Sequence, residues 1–139
     1  SQLEKAPYSD WYTPEHDSYS VDAETIAQLK KEKLSSYNLT VFFFFFCGDS
    51  HREVPRLMKI LETVKYPEQK LTIIAVNRKK EAPNGEEGLF NIKRVPTIIV
   101  KKYGKEIGRI IESTQSGYLE KDLLEIIKKD NSSAKDLFK

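Results

Sequence analysis

At 139 residues the chain is the size of one ordinary domain, long enough to bury a sizeable apolar core without disulfides or a structural metal. Its 23 basic and 21 acidic residues leave a net charge of +2, which argues against a general nucleic-acid or membrane-surface binder. No apolar stretch approaches the ~20 residues that span a bilayer.

The chain opens with a polar, aromatic segment, residues 1–20, that contains two prolines and has no clean hydrophobic period. This pattern predicts an irregular N-terminal arm. Its rings favour docking of the arm on the domain surface over ligand binding. The rings belong to Tyr8, Trp11, Tyr12 and Tyr19. Because the sequence starts at Ser1 without a methionine, we expect an exported mature protein, with a cytoplasmic location as the alternative.

Residues 22–34 fit a helix for which Asp22 or Ser20 supplies the N-cap. The next segment, Leu39 to Phe46, is too β-prone and too uniformly apolar for a half-exposed strand. It therefore predicts a central strand that is covered on both faces.

An amphipathic helix is predicted directly after Cys47, running to about Lys65. Its apolar positions are Val54, Leu57, Met58, Leu61 and Val64. Pro55 lies inside this pattern and should kink the helix or end its first turn.

Three further strands are predicted. Residues 71–76 form a short apolar run, expected to be a buried strand that is parallel to the first. After a polar loop over residues 77–91, two strand-like segments at 97–100 and 106–112 flank a turn in which Gly104 supplies the positive φ. These two strands should form an antiparallel hairpin.

The last predicted helix begins near Ser116 and ends near Lys129. The following residues, 131–139, are expected to be a flexible tail. The predicted domain thus covers residues 21–130.

Cys47 is the only cysteine, and it stands where the apolar strand stops and the amphipathic helix begins. A helix start presents unpaired N–H groups and the positive end of the helix dipole, which favour a thiolate over a thiol. The motif Cys47-Gly48-Asp49-Ser50 carries Ser50 where a two-cysteine redox motif has its second sulfur. The pattern indicates a redox-type site with a single thiol, while a buried, inert cysteine remains the alternative.

The order of these elements resembles the thioredoxin family, with the cysteine at the first strand-to-helix junction. Pro55 follows Cys47 by eight residues, as a proline does in that family, and Val95-Pro96-Thr97 is similar to its apolar-Pro-Thr step. The resemblance implies an α/β fold, a three-layer sandwich in which helices flank a central mixed sheet. It also implies that Pro96 is cis and faces the cysteine.

Five positions depart from the family pattern. Ser50 replaces the resolving cysteine, Asp49 stands in place of a frequent proline, and Phe46 replaces a tryptophan. Val41 and Ala75 occupy the positions of a buried aspartate and its lysine partner. Because the aspartate serves the resolving thiol, its loss together with that thiol indicates that Ser50 is native.

The resemblance implies thiol-disulfide exchange by a monothiol mechanism, in which Cys47 attacks and Ser50 donates a hydrogen bond to its thiolate. The partner would be a disulfide- or thiol-bearing protein or a small thiol, bound by a monomer without a cofactor. The implied substrate-binding residues are Val95, Pro96, Phe46, Gly48 and Asp49.

The sequence leaves two alternative functions. One is a non-catalytic thioredoxin-fold interaction module that uses the rim around Cys47, Val95 and the aromatic arm. The other, peroxide reduction, is disfavoured because the Thr, Pro and Arg pattern of peroxidatic sites is absent. His51 and His16 are too few for a metal site.

Overall fold

The computed structural model describes residues 9–43, 48–76, 85, 92, 94, 96–111, 114 and 116–137. The helices in this part of the chain are α1 (Ser9–Ser18), α2 (Ala23–Lys31), α3 (Gly48–Thr63) and α4 (Leu119–Leu137). The strands are β1 (Asn38–Phe43), β2 (Leu71–Ala75), β3 (Thr97–Lys102) and β4 (Lys105–Ile111). Short 3₁₀ turns at Leu34–Ser36 and Glu68–Lys70 precede β1 and β2.

The described strands form one mixed sheet in the order β2-β1-β3-β4. Strand β1 is parallel to β2 and antiparallel to β3, and β3 and β4 form the predicted antiparallel hairpin. Tyr103 and Gly104, at the tip of that hairpin, both have positive φ, 54° and 76°. Together with the helices, this topology confirms the expected thioredoxin-like α/β fold, in which helices flank a central mixed sheet.

The core lies on both faces of β1, as its uniformly apolar sequence predicted. Leu39, Val41 and Phe43 point to one face, where they join the apolar residues of α2, α3 and α4. Phe42 points to the other face and packs with Val76, Ile92 and Ile99. Alternate residues of a strand point to opposite faces, so burial on both sides requires the continuous apolar run that the sequence shows.

Helix α2 begins and ends through local backbone chemistry. The Asp22 carboxylate accepts a hydrogen bond from the Thr25 N–H at 3.1 Å, which confirms the predicted N-cap. At the other end Lys33 takes a left-handed conformation with φ of 61°, which redirects the chain toward β1.

The prediction of an irregular N-terminal arm is wrong for residues 9–18, which form helix α1. The sequence pattern is weak and Pro14 lies inside the helix, so tertiary contacts must stabilise it. Tyr12 is buried against α3, Glu15 pairs with Arg56 at 2.6 Å, and His16 Nε2 lies 2.7 Å from Glu62. The docking that we predicted for the aromatic residues is confirmed for Tyr12.

Two further expectations are corrected. The last helix begins at Leu119 rather than near Ser116 and continues to Leu137, so most of the expected flexible tail is helical. Strand β2 was expected to be buried, but it is half-exposed because it lies at the edge of the described sheet.

Candidate thiol site at the start of helix α3

The predicted nucleophile stands immediately before helix α3. Cys47, Phe46 and Val95 lie outside the described residues. Gly48, the next residue, is the first of the 16 residues of α3, and Asp49 and Ser50 follow in its first turn. The described backbone therefore agrees with a helix start directly after Cys47, where N–H groups lack intrahelical acceptors and the dipole favours negative charge.

The sheet register relates this junction to the predicted proline step. Phe42 pairs with Thr97 across the antiparallel β1 and β3 strands, so β1 ends where β3 begins. Pro96 is buried at this end of the sheet. The Thr97 hydroxyl donates a hydrogen bond to the Arg94 carbonyl at 2.6 Å, which anchors the approach to β3. The cis state of Pro96 and its role in substrate binding stay predictions.

A buried ionic network lies in the first turns of α3. The Arg52 Nε donates to the Glu53 carboxylate at 2.9 Å, and Arg56 lies 3.9 Å from the same carboxylate. Arg56 also pairs with Glu15 of α1. The side chain of Glu53 is 4% exposed. Because Glu53 balances the charge of Arg52, this arginine stabilises a nearby thiolate less than its position in the sequence suggests.

Glu53 was not predicted from the sequence to be part of the site. Glu53 occupies the same helical stripe as Leu57 and Ile60, both of which are fully buried. A carboxylate four and seven residues from core positions is the signal that would have predicted its burial. Its pairing with Arg56, one turn later, follows from the same spacing.

The positions at which thioredoxins carry a buried acid and its lysine partner are apolar here. Val41 is 1% exposed and packs in the main core cluster. It pairs with Ile73 on β2, whereas Ala75 pairs with Phe43 and is exposed. Neither of these two described positions therefore carries a carboxylate or an amine.

Two tyrosines of the N-terminal segment, Tyr12 and Tyr19, contact the rest of the domain. Tyr12 stacks on His16, with ring centroids 5.5 Å apart. Tyr19 lies under the Arg56 guanidinium, 5.0 Å from its ring centroid, and donates a hydrogen bond to Glu120. Tyr8 and the Trp11 side chain lie outside the described residues. An interaction surface around Cys47 therefore does not include the rings of Tyr12 and Tyr19 as exposed contacts.

Two clefts among the described residues lie away from this junction. One of about 300 Å³ lies between β4 and α4, and one of about 430 Å³ is lined by residues of α1, α3 and the start of β2. Neither is lined by Pro96 or by the first turn of α3. The described residues hold no cluster of His, Cys, Asp and Glu suited to a metal ion. None of the described helices combines the length and the apolar character needed to cross a bilayer.

Comparison with known proteins shows the fold and no closer relationship. No protein-family model and no curated protein matches the chain. A crystal structure of a protein of unknown function from Pseudomonas aeruginosa is similar with a TM-score of 0.67 at 13% identity, over 91% of this chain and 87% of that one. An HIV epitope-scaffold is similar with a TM-score of 0.66 at 15% identity, over 90% and 87% of the two chains.

Thioredoxins are also found, with lower scores. The thioredoxin of Fasciola hepatica has a TM-score of 0.47 and 18% identity, over 77% of this chain and 91% of that one. At such identities the similarities concern the fold alone. In its strand order and its strand directions, this chain has a thioredoxin-like α/β fold.

Proposed function

We propose that this protein carries out thiol-disulfide exchange through Cys47 alone. The observation that carries the proposal is the start of helix α3 at Gly48, directly after the only cysteine of the chain. A cysteine at a helix N-terminus has a lowered pKa because the helix dipole and free N–H groups stabilise the thiolate.

The proposed reaction has two steps. The Cys47 thiolate attacks one sulfur of a partner disulfide, which forms a mixed disulfide and releases the other sulfur as a thiolate. A second, external thiolate then attacks the mixed disulfide and restores Cys47. Ser50 donates a hydrogen bond to the Cys47 thiolate and supplies no resolving sulfur. The partner is a disulfide- or thiol-bearing protein or a small thiol.

The apolar surroundings of β1 support a mechanism without a second thiol. A buried carboxylate in the position of Val41 would serve to deprotonate a resolving cysteine, and neither group is present. In this proposal Val95 and Pro96, which precede β3, bind a substrate strand beside Phe46, Gly48 and Asp49.

Alkylation of Cys47 by iodoacetamide tests the proposal. We expect native Cys47 at about pH 7 to react at least about threefold faster than a cysteine in an unstructured peptide, because a pKa lowered by a unit raises the thiolate fraction about eightfold. Ser50→Ala should slow the reaction, while Ser36→Ala, a matched change of an exposed serine far from this junction, should not. A native rate no faster than that of the peptide contradicts the proposal.

A second candidate function is a non-catalytic interaction module. Val41 and Ala75 favour it, because the polar pair that assists catalysis in thioredoxins is missing at these positions. Ser50→Cys separates the two functions. Gain of dithiol reduction of a model disulfide supports the exchange mechanism, and no gain, together with partner capture that survives Cys47→Ala, supports the module.

A further inference from the structure

One end of the molecule gathers basic side chains around an exposed tyrosine. We call this end the lysine pole, and it consists of Lys33, Lys70, Lys101, Lys102, Lys105 and Tyr103. Lys33 follows α2, Lys70 precedes β2, and the other four residues form the tip of the β3–β4 hairpin.

Specific contacts place these segments side by side. The Lys70 ammonium donates to the Ser35 carbonyl at 2.8 Å, which joins the start of β2 to the turn after Lys33. Lys102 lies over the ring of Tyr37, 4.9 Å from its centroid, and Tyr37 directly precedes β1. The segment before β1 therefore contacts both the hairpin tip and the start of β2.

Part of this charge has a structural explanation. Asp22, at the start of α2, contacts Glu120 in the first turn of α4, and Asn131 in the later part of α4 contacts Glu32 just after α2. The two helices are thus parallel, and both end toward this pole. Helix α3 also ends there, because Tyr66, which follows it, donates a hydrogen bond to the Tyr37 carbonyl. Lysines compensate the negative ends of helix dipoles. The hairpin lysines belong to strands, so the dipoles do not account for them.

Tyr103 is an unusual residue for the turn that it occupies, where the Lys102 ammonium lies 5.7 Å from its ring centroid. Its φ of 54° is a left-handed conformation, which is unfavourable for a bulky residue. Two-residue hairpin turns of this kind prefer Asn-Gly, since Asn tolerates positive φ. The Tyr103 side chain is 96% exposed. It therefore gains little from packing to offset the backbone cost.

We propose that the lysine pole docks this protein on an anionic phospholipid surface, with the Tyr103 ring among the lipid headgroups. Amphipathic aromatic rings concentrate at the bilayer interface, and clustered lysines are attracted to anionic lipids. A bilayer presents a broad surface and needs no groove. Neither described cleft is lined by the hairpin tip, whereas an acidic peptide would be held best in such a cleft.

Acidic groups near the pole are partly engaged with partners of their own. Asp130 lies 3.8 Å from Lys102, and Glu106 binds Arg109 through two hydrogen bonds of 2.6 and 2.7 Å. Glu32 accepts a hydrogen bond from Asn131, and Glu68 is exposed. Hence Glu68, Glu32 and Asp130, which pairs with Lys102 of the pole itself, reduce the positive field of the pole. The charge of Glu106 is balanced by Arg109.

Docking by this pole leaves the thiol end of the molecule facing away from the lipid. Strand β1 starts at the pole and runs toward the junction that holds Cys47. The 16 residues of α3 correspond to a separation of about 24 Å between the two ends. The proposal does not depend on the chemistry of Cys47, and its test can fail without affecting that function.

Co-sedimentation of the full chain with vesicles provides the test. We expect binding to phosphatidylcholine vesicles that contain about one quarter phosphatidylserine, no binding to pure phosphatidylcholine, and loss of binding at about 0.5 M salt. Lys33→Gln and Lys105→Gln should each weaken binding about fivefold. Tyr103→Asn should weaken it several-fold while it preserves the turn.

The opposite end of the molecule offers a matched control. Tyr118 is 44% exposed, and the Lys121 ammonium lies 4.6 Å from its ring centroid. The double variant Tyr118→Asn, Lys121→Gln should bind vesicles as the native protein does. The proposal is overturned by absence of binding to anionic vesicles at low salt, by an equal loss in this control, or by capture of polyglutamate or RNA without vesicle binding.

Discussion

Glu120 is a carboxylate without any exposed surface, and it connects the N-terminal part of the chain to α4. It accepts hydrogen bonds from the Tyr19 hydroxyl and, at 3.0 Å, from the Asp22 N–H. Burial, together with the hydrogen bond to Glu120, raises the pKa of Tyr19 well above its usual value, so that its hydroxyl remains a donor at physiological pH.

Truncation of this side chain should strongly destabilise the protein. We expect Glu120→Ala to lower the free energy of unfolding by about 2–4 kcal/mol, because two partly buried donors lose their fully buried acceptor. Tyr19→Phe should cost about 1–2 kcal/mol. The double variant should fall short of the sum by roughly 1 kcal/mol in urea unfolding. Glu125→Ala on the exposed side of α4 is the control and should change stability by less than about 0.5 kcal/mol. Strict additivity would contradict a direct interaction.

At the residue scale the sequence was informative where partners are near in the chain. Asp22 was predicted to cap α2, and it accepts a hydrogen bond from Thr25, three residues later. Tyr19 and Glu120 are separated by 101 positions, and nothing in the local pattern of either residue indicates the other. The position of Cys47 before a helix followed from the pattern, whereas the buried pairing of Arg52 with Glu53 did not.

Helix α4 lies close to strand β4 because Gly108 has no side chain. A Cβ atom at this position would lie 2.7 Å from Ile126 Cγ2 and 3.1 Å from Ile126 Cγ1. Such distances are below van der Waals contact, so that a larger residue would force the helix away from the sheet.

Gly108→Ala should therefore cost about 1–3 kcal/mol of stability through overpacking. Ile126→Ala removes the atoms that would clash, so the double variant should recover at least about 0.5 kcal/mol relative to the sum of the single changes. Urea unfolding of the four proteins measures this coupling. If Gly108→Ala is neutral or if the two changes simply add, α4 does not approach β4 as closely as described.

At the element scale, strong local patterns were decisive. The apolar run of β1, the helical spacing of α3 and the glycine of the hairpin turn all predicted the observed structures. The first helix and the C-terminal extension of the last helix beyond Lys129 were missed because these polar segments carry weak periodicity. Contacts with α3 stabilise α1. Two hydrogen bonds stabilise the later part of α4, one from Tyr37 to Asp130 and one from Asn131 to Glu32.

A histidine joins helix α1 to helix α3, so we expect the stability of this contact to depend on pH. His16 Nε2 lies 2.7 Å from Glu62, and Nδ1 lies 3.0 Å from Asp17. Burial lowers the pKa of His16, but the hydrogen bonds and charges of Asp17 and Glu62 outweigh it and raise the pKa above its usual value of 6.5. A raised pKa in the folded state stabilises the protein below the unfolded value and loses this effect as pH rises through the folded value.

We therefore expect His16→Gln to destabilise the protein more at about pH 5.5 than at about pH 8, with a difference on the order of 0.5–1 kcal/mol. Urea unfolding of both proteins at the two pH values measures it. In a Glu62→Gln background the pH dependence of the effect should shrink. An effect of His16→Gln that grows with rising pH would contradict the role of the two carboxylates.

At the scale of the whole molecule, the charged side chains are unevenly distributed, although the net charge is only +2. The balance of acids and bases argues against a membrane-surface binder, yet the fold brings to one end the lysine after α2, the lysine before β2 and the lysines of the hairpin. Three parallel helices add to this separation, since each favours basic groups at the same end.

The sequence by itself determined the fold class, the order of the central elements and the place of a single thiol before a helix. These features depend on hydrophobic period, turn residues and spacing, which act over a few neighbouring residues. Only the tertiary structure decided that the polar N-terminal segment is a docked helix, that Glu53 and Glu120 are buried, and that lysines from distant segments share one surface. Such features depend on contacts between residues far apart in the chain, and the free energy of those contacts can outweigh weak local preferences.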